Sequence, residues 1–210
     1  DIGTGKEIRR FIGHKQPPAP KGYTNKINSV TSVAVSPDGT LIASGSGGED
    51  KTVRLWELRT GRELHKCTLD SRVTSLAFSP DGMTVVAAAG PFSRGTIRLI
   101  NVAGWKEVRA FGNQPNNTTS VSFSPDGRQI ASGDWGGVVR LWDAATGALL
   151  RSYNGETGRV SAVALAPDGR SLAIAQNETQ EKGAPLSIWD LTSGSQLRQV
   201  SEPIQGEEHY

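Results

Sequence analysis

The stretch Ser36-Pro37-Asp38-Gly39 decides the fold, because it recurs along the chain at nearly constant spacing. The further copies are Ser79 to Gly82, Ser124 to Gly127 and Ala166 to Gly169, at intervals of 43, 45 and 42 residues. A repeat period between about 20 and 50 residues is typical of stacked supersecondary units. The chain is therefore predicted to contain four structurally equivalent repeats.

Each copy separates two runs of small, β-branched or aromatic residues, which is the composition of β-strands. Proline fixes one φ angle and the Asp-Gly pair favours a tight turn, so each copy predicts a β-hairpin. A third run follows, as in Val53 to Trp56, and after a glycine-containing turn a fourth run follows, as in Glu63 to Cys67. The sequence shows no helical periodicity, so we expect four short strands per repeat.

Composition and charge exclude several classes of protein. The 210 residues include 23 basic and 21 acidic side chains, and this net charge of +2 gives no reason to expect a nucleic-acid partner. Cys67 is the single cysteine, which excludes an intrachain disulfide and a thiolate metal cage. Apolar runs such as residues 85–89 are far shorter than the roughly 20 residues of a membrane span, so we expect no membrane partner. We expect a cytoplasmic location.

An isolated four-stranded sheet cannot bury both of its faces, so successive sheets must pack face to face. The hairpins, the Leu-Trp-Asp and Ile-Trp-Asp endings at residues 141–143 and 188–190, and the Gly13-His14 pair resemble the WD-repeat β-propeller family, in particular its bacterial members. This resemblance implies an all-β propeller of four-stranded antiparallel blades. It also places partner binding on the loops that join strands two and three and on the loops that join successive blades.

The repeats predict four full blades plus one orphan strand. The expected divisions are residues 1–14 as the fourth strand of an incomplete preceding blade, 15–29 as an insertion loop, 30–69, 70–112, 113–155 and 156–200 as the four blades, and 201–210 as a polar tail. The leading interpretation is a segment of a longer propeller. A four-bladed ring, and an oligomer that completes the circle by self-association through exposed terminal blades, are the alternatives.

In the family that the chain resembles, a hydrogen-bonded network often orders a blade. Only the first repeat is expected to form it, as a structural and not a catalytic feature, from His14, Ser44 or Ser46, Asp50 and Trp56. The second repeat has Ile100 instead of the tryptophan, and Gly136 and Gly183 stand at the aspartate position of the third and fourth repeats. Those three blades are expected to depend on apolar packing.

No pattern in the sequence predicts catalysis. The three histidines are scattered without metal-ligand spacing, and neither a nucleophile elbow nor a His-Glu-x-x-His motif occurs. We therefore predict no catalytic residue, no metal site and no cofactor.

Partner binding is expected on loops that a rigid scaffold holds in place. The candidate residues on the expected loops are Trp135, Asp134, Phe92, Arg94, Tyr23, Lys21 and Asn177. Trp135 is the first candidate because tryptophan is enriched in binding hot spots and this one lies outside the core position of the repeat. Burial of Trp135 between blades is the alternative. Trp105, at the opposite edge, is expected to be a packing lid.

The sequence thus predicts a non-catalytic protein–protein interaction scaffold or sensing module within a larger WD-repeat protein. Bacterial arrays that look similar are often fused to kinase or signalling ATPase domains. A propeller enzyme or a glycan-binding propeller that uses the central channel is one alternative function. A designed or excised piece of a propeller is another interpretation.

Overall fold

The computed structural model describes residues 3–14, 30–48, 50–91, 94–154, 158–177 and 185–200. Within these residues sixteen strands form four antiparallel sheets, and each sheet holds the four strands of one repeat in chain order. Blade 1 contains β1 (Val30–Val35), β2 (Leu41–Ser46), β3 (Thr52–Glu57) and β4 (Glu63–Thr68), and blade 2 contains β5 (Val73–Phe78), β6 (Thr84–Ala89), β7 (Gly95–Asn101) and β8 (Lys106–Gln114). Blade 3 contains β9 (Thr118–Phe123), β10 (Gln129–Asp134), β11 (Val138–Asp143) and β12 (Leu149–Asn154), and blade 4 contains β13 (Val160–Leu165), β14 (Ser171–Gln176), β15 (Leu186–Asp190) and β16 (Gln196–Val200). The predicted all-β propeller architecture is confirmed.

The Pro-Asp-Gly turns close the first hairpin of each blade through side-chain hydrogen bonds. In blade 1, Ser36 Oγ donates to Asp38 Oδ1 at 2.6 Å and accepts from the backbone N–H of Leu41 at 2.9 Å. The N–H of Thr40 donates to the same carboxylate at 3.0 Å, and Gly39 has a φ of +70° that favours glycine. The hydrogen bond from Ser36 is the largest cause of a lowered pKa at Asp38.

The fourth hairpin reaches the same geometry without the serine hydroxyl. Ala166 stands at the serine position, and Asp168 accepts instead from the backbone N–H groups of Arg170 at 2.8 Å and Ser171 at 3.1 Å. These backbone bonds also lower the pKa of Asp168. The aspartate, rather than the serine, is therefore the shared structural element of the turns.

Neighbouring blades pack through their first strands, β1 against β5, β5 against β9, and β9 against β13. Threonine hydroxyls cross each boundary: Thr31 Oγ1 donates to Val73 O at 2.8 Å, Thr74 Oγ1 to Thr118 O at 2.6 Å, and Thr119 Oγ1 to Val160 O at 2.7 Å. Gly45 is required at the first boundary, since a Cβ there would lie 2.5 Å from Val73 Cγ1. One cluster of buried apolar side chains fills each boundary.

Residues 5–14 lie outside the four sheets and pack against blade 1. Phe11 packs edge-on against Trp56 with ring centroids 5.9 Å apart, as Tyr153 of β12 packs against Trp189 of blade 4 at 5.6 Å. Arg9 Nη1 donates to Thr60 O at 2.6 Å. Arginines of β8 and β12 make the corresponding bonds to the turns of blades 3 and 4.

The predicted insertion loop and polar tail lie outside the described residues. Among the residues that are described, no helix is long and apolar enough to cross a membrane.

Candidate functional site

The two edges of the blades differ in their chemistry. We call the edge formed by the β2–β3, β6–β7, β10–β11 and β14–β15 connections, together with the connections between successive blades, the loop face. The Pro-Asp-Gly hairpins lie at the opposite edge, where the same side-chain hydrogen bonds recur from blade to blade. The loop-face connections between the second and third strands have no common sequence and range from three to nine residues in length. Recognition residues are therefore sought on the loop face.

The structure brings together His14, Ser44, Asp50 and Trp56 in one network. His14 Nδ1 lies 2.5 Å from Asp50 Oδ2, and His14 Nε2 lies 2.7 Å from Ser44 Oγ. Trp56 Nε1 donates to Ser44 Oγ at 2.7 Å. All three contacts are satisfied when His14 Nδ1–H donates to Asp50 and the Ser44 hydroxyl donates to His14 Nε2. This arrangement satisfies buried polar groups and ties the N-terminal segment to blade 1.

Charge reinforces the same network. Burial acts to raise the pKa of Asp50, but the hydrogen bonds from His14 and Thr52 and the nearby positive charges outweigh it, so that the pKa is lowered. Arg54 Nη2 lies 3.4 Å from Asp50 Oδ1, and Arg54 Nη1 donates to Glu63 Oε2 at 2.7 Å. The buried carboxylate of Asp50 is therefore ionised and fully engaged within the protein.

Blade 3 contains a second network built without a histidine, and the prediction that this blade depends on apolar packing is wrong. Trp142 Nε1 donates to Ser132 Oγ at 2.8 Å, and Gln114 Nε2 donates to the same oxygen at 3.1 Å. Arg140 Nη1 donates to Gln114 Oε1 at 2.9 Å and to Asp134 Oδ2 at 2.6 Å. Gln114 thus takes the place of the histidine, and the acidic residue lies eight positions before the tryptophan instead of six.

Asp134 is a structural residue, and the prediction that it contacts a partner is wrong. Its side chain is 0% exposed, and Arg140 occupies one carboxylate oxygen. The other oxygen accepts from the backbone N–H groups of Gly136 at 2.8 Å and Val138 at 3.1 Å. Asp134 therefore fixes the β10–β11 turn from inside the blade.

The turn that Asp134 fixes presents Trp135 on the loop face. Trp135 is 38% exposed, and its backbone N–H donates to Asn117 O at 3.0 Å. The guanidinium carbon of Arg159 lies 5.1 Å from the centre of the indole ring, within the range of a cation–π interaction. Trp135 and Arg159 therefore form a mixed aromatic and cationic patch at the boundary between blades 3 and 4.

The remaining candidate residues divide between exposed positions and positions outside the described residues. Arg94, in the β6–β7 connection, and Asn177, directly after β14, are both exposed on the loop face. Phe92, Tyr23 and Lys21 lie outside the described residues.

Blades 2 and 4 differ from blades 1 and 3 around the position of the tryptophan of the repeat, which is Trp56 in blade 1. Ile100 fills the position in blade 2 and is fully buried. Trp189 Nε1 in blade 4 donates to Ser187 Oγ at 2.9 Å, whereas Gly183 lies outside the described residues.

At the opposite edge Trp105 is buried and stacks on His65, with ring centroids 6.2 Å apart. Within the described part of the chain, no three His, Cys, Asp or Glu side chains form a group that could hold a metal ion.

Comparison with known proteins identifies WD repeats in this chain. The family model described as WD domain, G-beta repeat, matches residues 20–57, 61–101 and 105–143, which together exceed half of the chain. The chain is 32% identical over 126 residues to small ribosomal subunit protein RACK1y from Oryza sativa subsp. japonica, covering 57% of the chain and 35% of that protein. It is 26% identical over 132 residues to Protein FIZZY-RELATED 3 from Arabidopsis thaliana, covering 62% of the chain and 27% of that protein.

A solved structure shares the fold. A chain of Kuenenia stuttgartiensis hydrazine synthase superposes with a TM-score of 0.77 at 16% identity, covering 88% of this chain and 53% of that one. At this level of identity the likeness concerns the fold alone. The chain spans about a third or less of the length of the two relatives RACK1y and FIZZY-RELATED 3.

Proposed function

Because the chain belongs to the family of WD domain, G-beta repeat proteins, we propose that it is a non-enzymatic scaffold that binds a protein or peptide on its loop face. The observation that carries this proposal is the partly exposed Trp135, held by a turn whose carboxylate is buried beneath it. Aromatic residues on a rigid support supply contact area at a small entropy cost. The single cysteine, Cys67, suits a reducing compartment, so we also propose a cytoplasmic location.

A truncation at Trp135 tests the binding role. A partner is first isolated with the wild-type chain and purified, and its affinity is then measured by isothermal titration calorimetry. Trp135→Ala is expected to weaken binding by about tenfold or more, as hot-spot truncations do, and to leave Tm nearly unchanged. Met83, which is 66% exposed at the opposite edge, provides the control Met83→Ala, which should not change the affinity.

Two results would contradict this role. A large drop in Tm for Trp135→Ala would show that the indole is mainly part of the core. Equal loss of affinity in both variants would show that the loop face is not the binding surface.

We further propose that the chain is a segment of a longer propeller, and blade 1 supports this. Val33 of β1 is 65% exposed, whereas its counterparts in the other blades, Leu76, Val121 and Val163, are 6%, 6% and 7% exposed. In blades 2 to 4 the preceding blade covers this position. Val30 and Val35 are also about half exposed, so one face of blade 1 has the composition of a blade boundary, and none of the described residues forms a blade against it.

Sedimentation of the isolated chain tests the segment proposal. We expect self-association through the uncovered face of blade 1, and Val33→Lys should suppress it. Val108→Lys is the matched control, because Val108 is 60% exposed on an outer strand. A folded, dispersed monomer of the wild-type chain would contradict the proposal.

A further inference from the structure

Two glycines make room for Asn116, which lies in the connection between blades 2 and 3. A Cβ at Gly95, the first residue of β7, would lie 2.6 Å from Asn116 O. A Cβ at Gly136, in the β10–β11 turn, would lie 2.2 Å from Asn116 Nδ2 and 3.1 Å from Asn116 Cγ. Close approaches of this kind are a common reason for glycine at a position. The main chain of Asn116 therefore rests on blade 2, and its carboxamide rests on the turn of blade 3.

The turn that carries the Asn116 carboxamide is also the turn that presents Trp135. The N–H of Trp135 donates to the carbonyl of Asn117, the residue directly after Asn116, at 3.0 Å. Asn116 and Trp135 are both partly exposed. The Asn116 carboxamide and the indole therefore lie next to each other on the loop face.

The Asn116 carboxamide has no structural hydrogen bond. Within the described part of the chain it neither donates nor accepts one. Asn101 shows the usual structural role of an asparagine, because its Oδ1 accepts from the N–H of Gly104 at 2.9 Å in the β7–β8 turn. The donor and acceptor groups of Asn116 are instead available to a molecule bound beside Trp135.

We infer that Asn116 hydrogen-bonds the main chain of the bound protein, so that the segment held at Trp135 is an extended peptide. The inference rests on the proposed function and specifies the conformation of the partner. A carboxamide matches a peptide group, because both offer an N–H donor and a C=O acceptor. An extended segment has its main-chain groups free, whereas a helix uses its own groups internally.

A peptide fits this surface better than a nucleic acid does. A carboxamide also pairs with the edge of adenine. Nucleic-acid affinity depends on many phosphate contacts, however, and the chain carries a net charge of only +2.

Short linear peptides selected on the wild-type chain from a phage-displayed random library test the inference. The selected peptides are synthesised with a fluorescent label, and their affinities are measured by anisotropy. Asn116→Ala should weaken peptide binding by about tenfold, which is the effect of losing a hydrogen bond and leaving its partner unpaired. The Tm of the free Asn116→Ala variant should equal that of wild type, because the carboxamide stabilises nothing within the chain.

Methylation of the peptide's main-chain nitrogens, one at a time, tests whether Asn116 contacts the main chain. One N-methyl group should weaken binding to the wild-type chain by about tenfold and have little further effect on binding to Asn116→Ala. If every N-methyl group weakens binding to the two proteins equally, the inference is overturned.

Gly136→Ala provides a variant that acts on Asn116 from beneath. The added methyl group displaces the flexible Asn116 carboxamide. Gly136→Ala should therefore weaken peptide binding as Asn116→Ala does, and the double variant should bind no more weakly than either single variant. A double variant with the summed loss would contradict the proposed seat of Asn116.

Asn101→Ala is the matched control, since it makes the same substitution at the opposite edge. It should lower Tm through loss of the bond to Gly104 and leave the peptide affinity unchanged. Equal losses of affinity in Asn101→Ala and Asn116→Ala would overturn the inference. It would also be overturned if the library yielded no linear peptide, or if a labelled oligoadenylate bound more tightly than the selected peptides.

These outcomes are distinguishable from failure of the proposed function. If Trp135→Ala weakens binding of the isolated partner but peptide affinity does not depend on Asn116, the loop face is an interaction surface and the main-chain recognition is wrong. If Trp135→Ala has no effect on that partner, the loop-face proposal itself fails.

Discussion

Replacing Asp134 with alanine separates its structural role from a role in partner binding. The substitution removes the acceptor for the N–H groups of Gly136 and Val138 and the counter-charge of Arg140, 2.6 Å away. All of these groups belong to blade 3, and the Asp134 side chain is 0% exposed. A residue that served only a partner would leave the stability of the free chain unchanged.

The expected loss in the free energy of unfolding follows from the burial of Asp134, and Asp70 provides a matched control. Removing one partner of a buried ion pair costs about 3–5 kcal/mol of the free energy of unfolding. Asp70 also pairs with an arginine, Arg98, at 2.6 Å, but its side chain is 69% exposed, and exposed pairs contribute about 0–1 kcal/mol. The same substitution at the same ion-pair distance should therefore differ by about 2 kcal/mol or more between the two sites.

Guanidinium denaturation followed by circular dichroism measures both variants against the wild-type chain. If Asp134→Ala does not fold, Asp134→Asn provides the measurement, because the amide oxygen still accepts from the backbone N–H groups while the charge and the acceptor for Arg140 are lost. Asp134→Asn should then be less stable than wild type and more sensitive to denaturant than Asp70→Asn. Equal free energies of unfolding at the two positions would refute the assignment of Asp134 to the blade interior.

Three further changes test the fold. Trp142→Ala should lower the free energy of unfolding by about 3–5 kcal/mol, and an unchanged denaturation midpoint would contradict its core position. Gly133→Ala should cost about 1–3 kcal/mol by overpacking, because its Cβ would lie 2.3 Å from Val160 Cγ1; adding Val160→Ala should restore part of the loss, which thermal melts would show. The folded-state pKa of Asp38 is lowered from 3.8, chiefly by Ser36, so its stabilisation is present above that pH and is lost as the pH falls through the folded-state pKa. The Tm values of Asp38→Asn and of the wild-type chain should therefore converge in acid. A difference in Tm that persists in acid would show that ionisation of Asp38 is not the source of the stabilisation.

The fold was predictable because the information that specifies it is local and repeated. Each Pro-Asp-Gly turn encodes its own hairpin, and the strand bounds depend on alternation within a few residues. The family resemblance added the radial arrangement of the blades. The sequence also predicted residues 1–14 as the fourth strand of an incomplete preceding blade, and this stays a prediction; residues in that segment, Phe11 and Arg9, contact blade 1.

The network of blade 3 was missed because its chemistry does not depend on a fixed residue type or spacing. A glutamine amide can donate to Ser132 as a histidine can, and it also accepts from Arg140. A shorter β10–β11 turn places Asp134 at the end of β10, where its carboxylate reaches the same arginine position as Asp50 does in blade 1. The signal in the sequence was the pairing of Arg140 with an acidic residue and an amide.

Under the proposed function, specificity comes from the loop face, because changes to the hairpins or to the blade boundaries cost stability. The hairpins at the opposite edge depend on aspartates that are committed to backbone N–H groups, and the blade boundaries depend on threonine bonds and tightly packed glycines. The connection between the second and third strands, by contrast, covers residues 47–51, 90–94, 135–137 and 177–185 in the four blades. Asp134 fixes the turn that presents the partly exposed indole of Trp135, and under the proposed function a change of partner is made by the side chains above this carboxylate.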